Sequence, residues 1–428
     1  MPLFARAPIG ATLHPKMAHE FDIILWGATG YTGEVVAEYL AKRPGGEQLR
    51  WAIGGRDRGK LEQVRGRLAS IAPHLKDLSI LVGDSQDPAW LDELASKARV
   101  VCTTVGPYAK YGSELVAACA RRGTDYCDLA GETYWIRQMI DAHHDEARAS
   151  GARIVVCCGY DSIPSDLGCL MLQEHMRDQH GGRCEEIRLY AGEAKGGPSG
   201  GTIASVLGMV EQMKRSADVR RILADPYALN PEGQRQGPDG PDDMGVRFDA
   251  VIDTWTGAFL MAGINTRVVR RTNALLDYPY GSDFRYQERS SFPKGPRGLA
   301  MALGGLAGFG LFAVGLSLPP TRKLLQRFVL PKPGQGPTRE QREQGYFRVR
   351  LIGKGRDRDG VEHTLRGLVE GTNDPGYGET AKMLGESAVW LAANRTADST
   401  GGILTPASAM GMDLVERLRS AGMVFEVS

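Results

Sequence analysis

The sequence predicts an α/β protein in which a doubly wound parallel sheet comes first and a second, inserted α+β domain follows. The apolar run Ile23–Trp26 ends at spaced glycines and continues into a helical pattern, which is typical of a strand, a turn and a helix. Apolar runs and helical patterns then alternate up to Cys158, as in units with parallel strands. Two later stretches, 346–351 and 361–369, alternate around a polar turn and predict an antiparallel hairpin.

The composition is that of an ordinary globular protein. The 428 residues suffice for two or three domains, with 42% hydrophobic and 24% charged residues. With a net charge of +1 the protein has no strong electrostatic attraction to nucleic acid, so we expect no nucleic-acid partner. The 7 cysteines include no C-x-x-C pair, and residues 1–20 contain no apolar run of a secretory signal. We therefore expect a reduced, cytoplasmic protein with a flexible extension over 1–20, no disulfide framework and no metal site.

The turn after the first strand predicts a Rossmann-like dinucleotide phosphate site. Gly27 permits the tight turn, Gly30 lets the backbone approach a pyrophosphate, and Gly33 lets the helix pack closely on the strand. The helix N-terminus offers free N–H groups and the positive end of its dipole. The spacing is G-x-x-G-x-x-G rather than the commoner G-x-G-x-x-G, and a glycine-rich turn without a ligand is the alternative. The candidates here are Gly27, Ala28, Thr29, Gly30, Tyr31, Thr32 and Gly33.

The end of the second predicted strand indicates which dinucleotide is favoured. This strand, Leu49–Ile53, is followed by Gly54, Gly55 and Arg56. In a doubly wound sheet this position faces the adenosine ribose, where an acid favours NAD and an arginine grips the 2′-phosphate of NADP. Arg56 therefore favours NADP. NAD stays open, because Asp57 either caps the next helix or contacts a ribose.

The ends of the third and fourth predicted strands complete the expected cofactor site. Parallel strands bring their carboxyl ends to one edge of the sheet, and the fourth strand, 99–105, ends beside the cofactor. Asp84 follows the third strand and either approaches the adenine or caps a turn. The further cofactor candidates are Asp84, Ser85, Thr104, Val105, Gly106 and Pro107.

Three side chains near strand ends are candidates for catalysis, namely Tyr108, Asp161 and Ser162. Hydride transfer requires cofactor placement, substrate orientation and at most one acid, and these groups can orient a substrate or supply a proton. Tyr111 lies close in sequence and is a candidate for substrate contact. The alternatives are packing for the tyrosines, and a turn before Pro164 for Asp161 and Ser162.

A further set of motifs runs along the chain: Gly27–Gly33, Gly55-Arg56, Val105–Tyr108, Tyr126–Asp128, Gly159–Asp166, Ser199–Thr202, Gly376–Thr380 and Gly402–Ala407. Together they resemble the saccharopine dehydrogenase-like oxidoreductases, and most of all the trans-acting enoyl reductases of complex-lipid synthesis. The resemblance covers nearly the whole chain. It implies a nicotinamide-dependent oxidoreductase whose C-terminal end packs back on the first domain. It specifies no substrate, and the superfamily has no universal catalytic residue to transfer.

The domain boundaries follow from these patterns. We expect a nucleotide-binding domain over 21–160, an α+β domain for substrate binding and dimerisation over 161–385, and C-terminal helices over 386–428.

The glycine-rich turn before the predicted helix Ile203–Arg215 is either an anion site facing the nicotinamide or a plain capped turn. The substrate-binding candidates are Tyr111, Ser199, Gly200, Gly201 and Thr202, and the resembling motif 376–380 adds Tyr377.

One stretch, residues 298–319, has no charged side chain and is about long enough to cross a bilayer core. Basic residues flank it on both sides, so the positive-inside rule gives no orientation. They are Lys294, Arg297, Arg322, Lys323 and Arg327. We expect this stretch to contact a membrane, and the flanking charges fit a surface-lying or re-entrant anchor at least as well as a span. The alternative is a helix buried between domains or in the interface of a homodimer.

These observations predict an NADP-dependent oxidoreductase that transfers a hydride to a C=C bond of a lipid-like or polyketide-like acyl substrate. The first alternative is an opine-type dehydrogenase acting on a C–N bond. The uncharged stretch and the lack of a clear arginine pair for a dicarboxylate disfavour it. The second alternative is a membrane-associated protein that binds NADP without turnover.

Overall fold

The structure, a computed structural model, describes residues 19–196, 200–318, 320–321, 336–396 and 399–428. Within these ranges the chain forms two seven-stranded sheets with helices packed around them. Most of the expected extension 1–20 lies outside the described residues. The same holds for Ser199 and for the basic residues Arg322, Lys323 and Arg327.

The first sheet is parallel throughout, with the strand order β13-β6-β5-β4-β1-β2-β3. Most of its residues are buried, because helices cover both faces, and this explains why the strands are continuous apolar runs in the sequence. The predicted doubly wound parallel sheet is confirmed. The strands are β1 (Phe21–Trp26), β2 (Trp51–Gly55), β3 (Ser79–Val82), β4 (Ala98–Thr103), β5 (Asp125–Cys127), β6 (Arg153–Val155) and β13 (Gly402–Leu404).

Helices connect the first six of these strands in the predicted alternating order. Helix α2 begins after Asp57, whose carboxylate accepts a hydrogen bond from the Lys60 N–H at 3.1 Å. Helix α3 begins after Asp87 and has Pro88 at its first position. The helices are α1 (Tyr31–Lys42), α2 (Arg58–Ile71), α3 (Pro88–Lys97), α4 (Tyr108–Tyr111), α5 (Ser113–Arg122), α6 (Thr133–Ser150) and α7 (Ile163–His180).

The second sheet is mixed, with the strand order β14-β12-β11-β7-β10-β9-β8. Strand β10 runs parallel to β7, and all other neighbours are antiparallel. The predicted hairpin is confirmed as β11 and β12. The strands are β7 (Arg183–Lys195), β8 (Arg247–Asp249), β9 (Thr254–Gly257), β10 (Arg285–Ser291), β11 (Tyr346–Arg356), β12 (Glu362–Gly371) and β14 (Val424–Val427).

In the second half, helix α8 confirms a prediction, because it covers the expected helical segment 203–215. A single π-helical turn, Pro375–Glu379, precedes α13. The helices are α8 (Gly200–Arg215), α9 (Ala217–Ala224), α10 (Ala262–Leu275), α11 (Gly295–Ser317), α12 (Arg339–Glu343), α13 (Thr380–Ala393) and α14 (Pro406–Ser420).

Helix α7 lies between the two sheets and joins their cores. A Cβ added at Gly168 would lie 3.1 Å from Leu351 and 3.3 Å from Val369, so the helix packs closely on β11 and β12. Its residues from 163 to 173 are all buried. No helix was predicted here, because a helix buried on every side lacks the polar face that marks a surface helix.

The C-terminal segment contributes a strand to each sheet, although helices alone were expected there. Strand β13 pairs in parallel with β6 at the edge of the first sheet, and β14 pairs with β12 in the second. Helix α14 begins as predicted, because the Thr405 hydroxyl accepts a hydrogen bond from the Ser408 N–H and Pro406 takes the first position.

Two side chains occupy the free backbone groups of the edge strand β13. The N–H of Ile403 donates to His144 Nδ1 at 3.1 Å, and Arg271 donates to the Ile403 carbonyl at 2.5 Å. Burial and the nearby Arg271 charge lower the pKa of His144 to about 4, so its ring is a neutral acceptor. Burial also lowers the pKa of Arg271 to about 9. The edge is therefore closed by this chain's own side chains.

Helix α11 contains residues 298–317 of the uncharged stretch and is largely exposed in the described part of the chain. Of its described side chains only Ala302, together with Gly298, is buried. Met301, Leu306 and Leu311 are 45%, 37% and 75% exposed. The alternative of a helix buried between the domains is therefore wrong. Among the described residues, no helix is both long enough and apolar enough to span a membrane.

Candidate functional site

The glycine turn has the geometry that a bound pyrophosphate requires. Gly27 has a φ of +94°, and a Cβ there would lie 2.6 Å from Val105 Cγ2. A Cβ at Gly33 would lie 2.2 Å from the Gly27 carbonyl oxygen, so the start of α1 packs directly on the turn. Gly30 is the N-cap of α1, and no side chain caps the helix there. The first N–H groups of α1 are thus left for an anion.

The neighbours of these glycines fix the turn without filling it. Ala28 is buried, and Thr29 and Thr32 are half-buried beside it. The Thr104 hydroxyl donates to the Gly27 carbonyl at 3.2 Å, and the Gly27 N–H donates to Gly54 at 2.9 Å. The turn is therefore held on one side by β2 and on the other by the residue after β4.

The residues after β2 favour NADP over NAD. Arg56 is exposed directly after the strand, where the adenosine ribose is expected. Asp57 caps α2 through its Oδ1 atom, as the capping alternative predicted. Because the Asp57 carboxylate caps the helix, Arg56 is the side chain left to contact the ribose, and its guanidinium suits a phosphate.

Asp84 and Ser85 both make local structural contacts. Asp84 Oδ1 accepts a hydrogen bond from the Gln86 N–H at 3.0 Å. Asp84 therefore caps a turn, as the alternative interpretation of this residue predicted. The buried Ser85 hydroxyl accepts a hydrogen bond from Trp26 Nε1 at 3.0 Å. Their contact with an adenine stays a prediction.

The segment after β4 folds sharply at the sheet edge. The Thr103 hydroxyl accepts from the Val105 N–H at 3.2 Å, and the bond between Gly106 and Pro107 is cis. Tyr108 follows and is buried, and its hydroxyl donates to the Thr103 carbonyl at 3.3 Å. This hydroxyl therefore faces the main chain, and a catalytic role for Tyr108 stays a prediction.

Glu132 organises this segment, and the sequence did not indicate it. Its buried carboxylate accepts hydrogen bonds from the N–H groups of Tyr108 at 2.8 Å and Ala109 at 3.0 Å. The Ser205 hydroxyl of α8 donates to the same carboxylate at 2.8 Å. Glu132 thereby fixes α8 next to the end of β4. No local pattern could identify it, since its partners are distant in sequence.

Asp161 is the strongest candidate for an acid at this edge. It follows β6, is half-buried, and its Oδ2 atom would lie 3.7 Å from a Cβ built on Gly131. Burial raises the pKa of Asp161 to about 6. A carboxyl group with this pKa is partly protonated near neutral pH, so it can supply a proton.

Ser162 belongs to a buried polar chain between the sheets. Its hydroxyl donates to Asn265 Oδ1 at 3.1 Å, and Asn265 Nδ2 donates to Glu288 at 2.9 Å. The Tyr286 hydroxyl also donates to Glu288, at 2.8 Å. Burial raises the pKa of Glu288 to about 7. The Ser162 proton thus points to Asn265, which leaves only the oxygen lone pairs for a substrate.

The substrate candidates lie in three places. Tyr111 is half-buried, with the Lys110 ammonium 4.9 Å from its ring centroid. Gly200, Gly201 and Thr202 form the first turn of α8, and Ser199 lies outside the described residues. Tyr377 is buried in the π-helical turn, and its ring meets that of Tyr31 edge-on at 4.5 Å between centroids. Substrate contact for these residues stays a prediction.

Comparisons with known proteins agree with this site. Residues 23–155 match the family model described as the saccharopine dehydrogenase NADP binding domain. A trans-acting enoyl reductase of Mycobacterium ulcerans is 38% identical over 95% of this chain and 97% of its own length. The chain belongs to the trans-acting enoyl reductase family. A family member of Mycobacterium leprae is 37% identical, again over 95% of this chain and 97% of its own.

A third member of the family, from Mycobacterium tuberculosis, is 43% identical over 96% of this chain and 98% of its own. Its name gives the enoyl reductase assignment as provisional. Among solved structures, saccharopine dehydrogenase (L-Glu forming) from Saccharomyces cerevisiae is similar, with a TM-score of 0.54. It covers 95% of this chain and 99% of its own, at 13% identity. This likeness concerns the fold alone.

The N-terminal domain is thus an NADP-binding domain, and its residues fit that cofactor. The uncapped start of α1 suits the pyrophosphate, and exposed Arg56 suits the 2′-phosphate. The predicted family, fold class and cofactor are confirmed, and the chain is an NADP-dependent oxidoreductase.

Proposed function

We propose that this protein is an NADPH-dependent enoyl reductase that acts on the C=C bond of a lipid-like or polyketide-like acyl chain. The observation that carries the proposal is the near full-length similarity to trans-acting enoyl reductases, which includes both the nucleotide-binding half and the second sheet. A relationship limited to the nucleotide half would support only a dehydrogenase of unspecified chemistry.

The proposed reaction needs one hydride and one proton. Bound NADPH supplies the hydride to one carbon of the double bond. Asp161 gives its proton to the other carbon and is left as a carboxylate, which regains a proton from water. Its raised pKa supports this role, because a carboxyl group at its usual pKa would be almost fully ionised at neutral pH.

The acyl substrate is proposed to enter between the ends of β4 and β6 and the first turns of α8. The Ser205–Glu132 hydrogen bond supports this placement, because it holds α8 next to the segment after β4. Gly200 and Gly201 open α8 without side chains, so the helix start can accept a carboxylate or a carrier phosphate.

We further propose that α11 inserts into the surface of an anionic membrane. Successive helix residues are rotated by about 100°, so Met301, Leu306 and Leu311 point in three different directions. A protein partner covers one side of a helix, whereas lipid covers every side that the rest of this protein leaves exposed. At the start of the helix Lys294 and Arg297 are exposed; Lys294 pairs with Asp253, and Arg297 matches anionic headgroups. Such an anchor would bring the site to membrane-held acyl substrates.

NADPH oxidation with matched substrates tests the reaction. We expect absorbance loss with an α,β-unsaturated acyl thioester, none with its saturated analogue, and a saturated acyl product by mass spectrometry. Oxidation only with a 2-oxo acid plus an amino acid would instead support the opine-type alternative. Tight NADPH binding with no oxidation by carrier-bound or CoA-bound enoyl substrates would support binding without turnover.

A further inference from the structure

A cation from the second half of the chain reaches the nucleotide turn. Arg342 in α12 donates from Nη1 to the Tyr31 hydroxyl at 2.6 Å, and its guanidinium carbon lies 5.6 Å from the Tyr31 ring centroid. The Arg342 side chain is only 13% exposed. We propose that Arg342 is a positioning residue for bound NADP, which acts through Tyr31 on the turn that receives the phosphates.

Tyr31 is the first residue of α1, directly after the N-cap Gly30. Its hydroxyl accepts from Arg342 and donates to the Pro337 carbonyl, so both of its hydrogen bonds join it to the segment 336–345. We call this segment the clasp. Because Tyr31 begins the helix whose N–H groups face the phosphates, a fixed Tyr31 side chain holds these groups in position.

The clasp is itself firmly attached. Its helix α12 begins with a capping box between Thr338 and Gln341. The Asp374 N–H donates to the Arg342 carbonyl at 2.9 Å, and a Cβ at Gly345 would lie 2.3 Å from the Asp374 backbone. The Asp374 carboxylate in turn caps the π-helical turn that carries Tyr377. The Tyr31 side chain therefore contacts Arg342 through its hydroxyl and Tyr377 through its ring.

Charge supports the same conclusion. The Arg342 guanidinium lies beside α1, and neighbouring carboxylates hold it next to the Tyr31 hydroxyl. The carboxylates near Arg342 are Glu38, with 3.8 Å between Oε2 and Nη2, and Asp374, whose carboxylate interacts with the Arg342 charge. These charges keep the guanidinium in place, so its hydrogen bond to the first residue of α1 is maintained.

Calorimetric binding of NADPH, without acyl substrate, tests the proposal independently of the reaction proposed above. We expect Arg342→Gln and Tyr31→Phe each to weaken NADPH binding by about fivefold to tenfold. The double variant should bind no more weakly than Tyr31→Phe alone, because that change already removes the Arg342 contact together with the hydrogen bond to Pro337. The matched control is Arg339→Gln in the same helix, which removes only an exposed pair with Glu343 and should bind NADPH like the parent.

Melting temperatures identify variants that fail to fold. If Arg342→Gln does not fold, Tyr31→Phe still tests the proposal, because it keeps the ring and removes both hydrogen bonds of the hydroxyl, and unchanged NADPH affinity would overturn the proposal. NADPH affinities of the folded variants within twofold of the parent would overturn the proposal. An Arg339→Gln loss as large as that of Arg342→Gln would also overturn it, since it would indicate a general effect of charge.

Discussion

The Tyr39 hydroxyl donates a hydrogen bond of 2.7 Å to Glu386 Oε1, although 347 positions separate the two residues. Arg43 Nε at 3.1 Å and Arg417 Nη2 at 2.6 Å also donate to the Glu386 carboxylate, whose side chain is 5% exposed. This carboxylate therefore joins α1 of the nucleotide-binding half to α13 and α14. A Cβ at Gly385 would lie 2.6 Å from the Tyr39 ring, so the helices are in close contact.

Glu386→Gln should destabilise the protein at neutral pH by about 2 kcal/mol, between the values for exposed and buried pairs, because it leaves the half-buried guanidinium groups of Arg43 and Arg417 without their carboxylate. Burial alone would raise the pKa of Glu386, but the Tyr39 hydrogen bond and both arginines outweigh it and lower the pKa. A lowered folded pKa means that the stabilisation is present above the unfolded value of about 4.3 and is lost as the pH falls through the folded pKa.

Urea unfolding between pH 3 and 7 measures both effects. The loss of stability below about pH 4.3 should be smaller in Glu386→Gln than in the parent. Glu93→Gln is the control, since its pair with Lys97 lies on the surface and contributes little. Equal stability of Glu386→Gln and Glu93→Gln at pH 7 would contradict a stabilising role for the Glu386 carboxylate between the helices.

Gly30→Val should abolish NADPH binding while the protein still folds. A Cβ at Gly30 meets only the Gly27 carbonyl at 3.4 Å and the backbone there is extended, so the fold accepts it. The side chain would nevertheless occupy the place of the pyrophosphate. Gly33→Val is the contrasting variant and should not fold, because its Cβ would lie 2.2 Å from a carbonyl oxygen. Unchanged calorimetric affinity in folded Gly30→Val would refute the phosphate site.

Arg56→Ala should weaken NADPH far more than NADH, by about 1.5–3 kcal/mol for a lost charged hydrogen bond. Arg58→Ala is the matched control, because Arg58 is also exposed but belongs to α2. Binding of both dinucleotides to both variants gives the comparison. If Arg56→Ala weakens NADPH and NADH equally, the 2′-phosphate is held elsewhere.

Asp161→Asn should reduce NADPH turnover about 100-fold or more without a change in NADPH affinity. In the proposed reaction the protonated form of Asp161 is the donor, and this form disappears as the pH rises through about 6. The parent's kcat/KM should therefore fall above this pH, and the fall should be absent in the variant. The pH profile of both proteins with an enoyl thioester is the measurement. A fall that persists in Asp161→Asn would assign the proton to another group.

The protein should co-sediment with anionic liposomes at low salt, and Gly308→Asp plus Leu311→Asp should weaken this. Leu311 is exposed, and a Cβ at Gly308 has no neighbour within 4 Å among the described residues. NADPH binding should thus be unaffected. Gly66→Asp plus Ile71→Asp on the exposed side of α2 adds the same charge and should leave liposome binding intact. If the parent protein does not bind liposomes, α11 is covered by protein instead.

Local sequence signals predicted the first half well. Buried parallel strands are continuous apolar runs, and the turn Gly27–Gly33 depends on backbone freedom that only glycine provides. The capping roles of Asp57 and Thr405 are equally local, since each side chain bonds a backbone group three residues later.

What the sequence did not predict depends on contacts between distant residues. Strand β13 has three residues, too few for a periodic signal, and its pairing with Arg153–Val155 is specified only by the folded sheet. Glu132 and Arg342 likewise have ordinary local surroundings. Their importance comes from Ser205 and Tyr31, which the chain brings to them only after folding.

The position of β13 also has a consequence for synthesis of the protein. Six strands of the first sheet are encoded by residue 155, yet the seventh ends at Leu404. On the ribosome, the growing chain therefore exposes the outer edge of β6 until β13, about 250 residues later, has emerged. During that interval the unpaired backbone of Arg153–Val155 is open to other extended segments. Premature termination before Gly402 would make this temporary exposure permanent.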